Sequence, residues 1–131
     1  MATLHKEISI EASPAEVWDA VRDVGALHTR LVPGFVVKTE LEGDTRVVTF
    51  GNGLVAREPI LSIDDERRRL AWAATGGRAT HYNAVLQVVP DGGRTRVVWT
   101  IDLLPHELAP LIGGMQDQGL AVMKRTLERK G

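Results

Sequence analysis

The chain switches between two hydrophobic periods, and the switches outline its elements. In LHKEISIEA, Leu4, Lys6, Ile8 and Ile10 alternate with His5, Glu7, Ser9 and Glu11, a period of two that predicts a half-buried strand. In ASPAEVWDAVRDV the period becomes helical, with Val17, Trp18, Val21 and Val24 on one face. Ser13 as N-cap, Pro14 at the first helical position and Glu16 three residues after the cap form a capping box. Gly25 ends that helix, and ALHTRLVPGF predicts a second short helical turn before Pro33-Gly34.

Strand texture then returns, punctuated by turns. FVVKTEL, RVVTF, LVAREPILSI, RLAWAAT, HYNAVLQVV and TRVVWTIDLL are separated by EGDT, GNG, DDER, Gly76-Gly77 and PDGG, which predicts an antiparallel meander. From His106 to Lys130 the period is helical again, with Leu108, Leu111, Ile112, Met115, Gly119, Val122, Met123 and Leu127 on one stripe. Gly113-Gly114 costs roughly 1 kcal/mol per residue against Ala in a helix interior, so a kink or a close approach is expected there. The order is an α+β plan: a curved antiparallel sheet of about seven strands wrapped around a long C-terminal helix, with two short helices after strand 1. No repeat, low-complexity tract or linker interrupts it, so residues 1–131 are expected to form one domain.

Composition narrows the function classes. A net charge of −1 argues against a nucleic-acid or anionic-membrane surface. The absence of Cys removes disulfides, thiolate catalysis and Cys-type zinc sites. His5, His28, His81 and His106 have no partners at metal-ligand spacing, and no nucleophile or phosphate-binding motif occurs, so neither metal nor cofactor is expected. MATLHKEISI has no apolar core after a basic start, and no apolar run approaches the roughly 20 residues of a membrane span. A cytoplasmic protein without stable membrane insertion is the expectation.

Glu58 is the oddity. In LVAREPILSI, Leu54, Ala56, Glu58, Ile60 and Ser62 share one face and Val55, Arg57, Pro59, Leu61 and Ile63 the other. Neither set is cleanly apolar, so alternation leaves the acid unoriented. Leu70, Trp72 and Ala74 share a face of the next strand, as do Tyr82, Ala84 and Leu86 after it. Val97, Trp99, Ile101 and Leu103 point inward, which turns Asp102 outward.

The opening strand running into SPAEVWDAVRD, the VAREPILSIDDERRRLAW block, GGRATHYNAVLQVVP with TRVVWTIDLLP, and the helix ending GLAVMKRTLE carry a resemblance. The chain resembles the START/Bet v 1-like (SRPBCC) superfamily of helix-grip proteins, in particular bacterial polyketide cyclase/dehydrase and lipid-transport-like proteins. DDERRRLAWAATGG and THYNAV are also similar to plant abscisic acid receptors. The resemblance implies a cavity between sheet and terminal helix, bordered by the GNG turn and the Gly76–Thr80 segment. Both loops are shorter than the receptors' gate and latch and lack their signatures, so receptor-type closure is not implied. The resemblance also turns Glu58 inward and puts Trp72 and Tyr82 on the cavity wall, with Ala84, Trp99, Leu108, Ile112, Met115, Gly119 and Met123 as further lining. Two functions follow as expectations. The first is binding or transport of a small hydrophobic ligand such as a lipid, isoprenoid or aromatic metabolite, by a monomer or homodimer. The alternative is a polyketide cyclase/aromatase or dehydratase-like enzyme using Glu58, Tyr82 and His28 as acid/base or orienting groups.

Overall fold

In the computed structural model, which describes residues 1–129, strand β1 (Ala2–Ile10) leads into helix α1 (Pro14–Arg22). Ser13 caps the helix as predicted, the Glu16 amide donating to its Oγ at 3.2 Å while its hydroxyl donates to Glu16 Oε1 at 3.0 Å. The next predicted turn is a 3₁₀ turn over Val24–Ala26 followed by a π-helical turn over Leu27–Leu31. Strands β2 (Val36–Glu42), β3 (Thr45–Phe50), β4 (Val55–Asp64), β5 (Arg69–Ala73), β6 (His81–Asp91) and β7 (Arg94–Leu104) follow, and helix α2 (Ala109–Glu128) closes the chain. Lys130, the last residue of the predicted helical stretch, lies outside the described residues.

The seven strands form one antiparallel sheet in the order β1-β7-β6-β5-β4-β3-β2, so each consecutive pair from β2 to β7 is a hairpin. This matches the helix-grip fold. Among the described residues no helix is long and apolar enough to cross a membrane.

β4 explains its own unreadable pattern. Ile60 pairs with Trp72 but Ser62 pairs with Ala71, so β4 carries one extra residue, a bulge around Leu61. Before the bulge Ala56, Glu58 and Ile60 face inward; after it Ile63 stands opposite Leu70, on the other parity. Pro59 lies on the face away from Glu58, beside the bulge, where its missing N–H disturbs least.

Part of the core lies at one end, where α1 packs on β6 and β7. Ile10, Val17, Val88 and Val97 are fully buried there, and the Thr95 hydroxyl donates to the Ala12 carbonyl at 2.7 Å. Trp18 packs as expected and also donates its indole N–H to Asp65 at 2.9 Å, tying α1 to the β4–β5 turn. α2 departs from its predicted stripe. Leu111 is 48% exposed, whereas Gln116 is buried and donates to the Trp99 carbonyl at 2.8 Å, and Leu120 is buried beside it in sequence phase. The Gly113-Gly114 pair gives a close approach rather than a break: a Cβ on Gly113 would already touch Leu4 and Lys6 of β1 at 3.6 to 3.8 Å.

Candidate functional site

Away from that core, sheet and α2 stand apart and enclose a cavity of about 520 Å³. Of the expected lining residues, Glu58, Trp72, Tyr82, Trp99, Leu108, Ile112, Met115, Gly119 and Met123 border it. Ala84 does not. It faces inward, but its short side chain is packed in the core between Trp72 and Ile101, its register partners, and reaches no void. His28 does not either. The π-helical turn aims it at β2, where Nδ1 lies 3.1 Å from Thr39 Oγ1, so it forms no pair with Glu58.

The wall is aromatic and largely apolar. Of the three Trp, two Phe and one Tyr in the chain, all but Trp18 line the cavity. Trp72 and Trp99 lie 6.1 Å apart with rings tilted by 45°, and Phe35 meets Phe50 edge-on at 5.4 Å. At Gly119 the helix lies close against this wall. A Cβ there would come within 3.1 Å of Trp99 and 3.3 Å of Phe35, so the glycine sets how near α2 approaches.

One polar cluster breaks the apolar surface. Arg46 on β3 is the direct register partner of Glu58 on β4, and both side chains point inward. Arg46 Nε donates to Glu58 Oε1 at 2.9 Å, and Nη2 lies 2.7 Å from the same oxygen. The guanidinium also stands 5.5 Å from the centre of the Trp72 ring, a cation–π distance. Burial pushes the Glu58 carboxyl above the ordinary carboxylate range, with Arg46 pulling the other way through charge and hydrogen bond. The Tyr82 hydroxyl is pushed up as well, by burial first and by the Glu58 charge second, against the opposing pull of Arg46. Tyr82 therefore keeps its proton over the physiological range and serves as a hydrogen-bond group.

Arg46, Phe35 and Phe50 were missed from the sequence. The signal for two of them was there: in RVVTF, period two puts Arg46, Val48 and Phe50 on one face. An arginine at a strand start reads as solvated because its partner, Glu58, had no direction of its own.

The cavity opens between the two loops that the resemblance pointed to. Leu54 after the GNG turn and Gly76 to Ala79 border it, with Val55 and Leu111 nearby; Leu54 is 53%, Val55 52% and Leu111 48% exposed. The first loop is held by backbone. Gly51 N–H donates to the Phe35 carbonyl at 2.9 Å, and a Cβ on Gly51 would fall 2.5 Å from the Gly34 oxygen. The second is joined to β4 by a reciprocal Arg57–Thr75 backbone pair at 2.8 and 3.2 Å. Among the described residues no three His, Asp or Glu side chains gather as a metal-binding set.

Solved structures share this frame. A protein from Thermobifida fusca is 31% identical, superposes with a TM-score of 0.77, and covers 98% of this chain and 91% of its own. A START superfamily protein from Mycobacterium smegmatis matches at 15% identity and a TM-score of 0.74, over 96% of this chain and 94% of its own. A Thalictrum norcoclaurine synthase point mutant, solved with a transition-state analogue, matches at 24% identity and a TM-score of 0.65, over 99% and 96%. The latter two likenesses bear on the fold alone. No protein of curated function matches the chain. The family described as polyketide cyclase / dehydrase and lipid transport matches residues 1–128, nearly the whole length, and the chain belongs to it, within the START/Bet v 1 superfamily.

Proposed function

We infer that the protein binds a small, mainly apolar ligand between the sheet and α2. The observation that carries this reading is the cavity of about 520 Å³, within the range of small-molecule sites, with aromatic walls and one polar cluster. Voids of that size are costly to keep empty, because lining atoms forgo the dispersion contacts that close packing would supply. The activities named in the family's description, polyketide cyclase / dehydrase and lipid transport, suit such a container.

Binding is favoured over catalysis by the chemistry of the cluster. Among the described residues Glu58 is the one carboxylate on the cavity wall, and Arg46 compensates its charge through Oε1. Tyr82 holds its proton, and His28 lies against β2. Acid/base turnover would thus rest on a single carboxylate, with no imidazole and no second carboxylate lining the cavity among the described residues.

Native mass spectrometry after incubation with a panel of lipids, isoprenoids and aromatic metabolites tests the reading. One-to-one adducts are expected, together with a rise in melting temperature. An Ile112→Trp variant, which projects an indole into the space, should fold and lose both. A protein that takes up nothing from such a panel would remove this function.

A further inference from the structure

The polar cluster is arranged as a row across the sheet, and the row has a gap. Arg46 pairs with Glu58. The Arg57–Thr75 bridge sets the next register, which puts Glu58 opposite Ala74. The Ala74 amide in turn donates to the Tyr82 carbonyl at 3.2 Å. Arg46, Glu58, Ala74 and Tyr82 therefore stand side by side, three on strands β3, β4 and β6 and Ala74 one residue past the end of β5. Glu58 and Tyr82 are two strand spacings apart, about 10 Å at the backbone, and only a methyl group lies between them. All four residues border the cavity.

The hydrogen-bond inventory of that gap is incomplete in a specific way. Arg46 directs both of its contacts to Glu58 Oε1. Oε2 accepts from no protein group among the described residues, and it is not among the sealed, unpartnered buried atoms. It faces the void. The Tyr82 hydroxyl likewise has no protein partner. Charge at this end is already compensated, Arg46 against Glu58. The other charged lining residue, Arg78, sits on the exposed loop.

We propose that the notch over Ala74 is the head-group subsite of the cavity and that it selects a neutral hydroxyl, the ligand being an apolar alcohol or phenol rather than a carboxylic acid. This rests on the cavity binding an apolar ligand. A hydroxyl supplies both missing partners: its proton goes to Glu58 Oε2, and its oxygen accepts from Tyr82. A carboxylate there would offer no proton and would stand beside the Glu58 charge in a poorly screened site. An ammonium group would meet the Arg46 charge instead.

Matched ligands on one skeleton test the subsite: 2-naphthol, 2-naphthoic acid and 2-methylnaphthalene, titrated by calorimetry at neutral pH. The wild-type protein should bind the naphthol roughly tenfold tighter than the methyl compound, the size of one hydrogen bond to a charged acceptor. The acid should be the weakest of the three. Tyr82→Phe, which keeps the ring, should cut the naphthol advantage severalfold and leave methylnaphthalene affinity unchanged. Glu58→Gln should abolish the penalty on the acid. Equal affinity for naphthol and methylnaphthalene, or tightest binding of the acid, would overturn the subsite while leaving the cavity reading intact. Failure of all three, with failure of the wider panel, would overturn both.

Discussion

A carboxylate that is 7% exposed is held by one arginine and strained by its own desolvation, and this gives Glu58 a pH signature. Its folded pKa is raised, so the native state binds the proton more readily than the unfolded chain does. The stability this contributes is fully present below the unfolded carboxyl value of about 4.3 and is lost as pH rises through the folded value. Glu58→Gln does not titrate at that position. The stability of wild type minus variant, read from urea midpoints, should therefore fall as pH climbs out of the acid range. Exposed acids whose pKa values are lowered by partners, such as Asp64 and Asp65, act in the opposite sense, but they are common to both proteins and cancel in the difference. A difference that stays constant with pH would show that burial does not dominate at Glu58. The orientation of this residue was not legible in its own strand, because period two assumes an unbroken strand and the bulge at Leu61 mixes the two faces.

At the scale of elements, local chemistry was legible where it is self-contained. The Ser13–Glu16 pairing is built within one turn, the Glu16 amide donating to Ser13 Oγ and the Ser13 hydroxyl to Glu16 Oε1. Ser13→Ala should lower stability by about 1 kcal/mol. For a chain of this size that is roughly 3 to 5 °C in melting temperature, measurable by calorimetry. A shift within error would mean that the Trp18–Asp65 and Arg22–Asp65 contacts alone hold α1. The hairpins were equally legible, since their turn residues lie between their strands in the sequence. The roles of α2 were not. A single apolar stripe predicts one buried face, yet Gln116 is buried and Leu111 is 48% exposed. The helix serves two neighbours at once: Gly113 and Gln116 meet β1 and β7, while Ile112, Met115 and Gly119 meet the void. A hydrophobicity pattern cannot separate a face packed on protein from one turned to a cavity, because both are apolar. Ala84 and His28 failed for a related reason, in that facing inward or lying near the rim does not decide whether a side chain reaches open space.

Across the whole molecule, the polar ties of α2 fall along one side. Lys6 meets Asp117 at 2.7 Å, Lys124 donates to the Ser9 carbonyl at 2.6 Å, and Glu128 accepts from the Glu11 amide at 2.8 Å. These three join the helix to β1 and to Glu11 just after it, and Gln116 adds a fourth to β7. Toward the π-helical turn and the entrance, the neighbours are the apolar cavity residues. Filling the cavity should therefore slow amide hydrogen exchange in the middle turns of α2 while leaving β1 unchanged, as read by mass spectrometry of peptides from each. Uniform slowing of both would mean that ligand acts on global stability alone. β1 is thus the edge on which the helix is hung, and Gly119 is where the helix lies against Trp99 and Phe35. A small rotation of the helix about that edge would change the enclosed volume without breaking any hydrogen bond of the sheet.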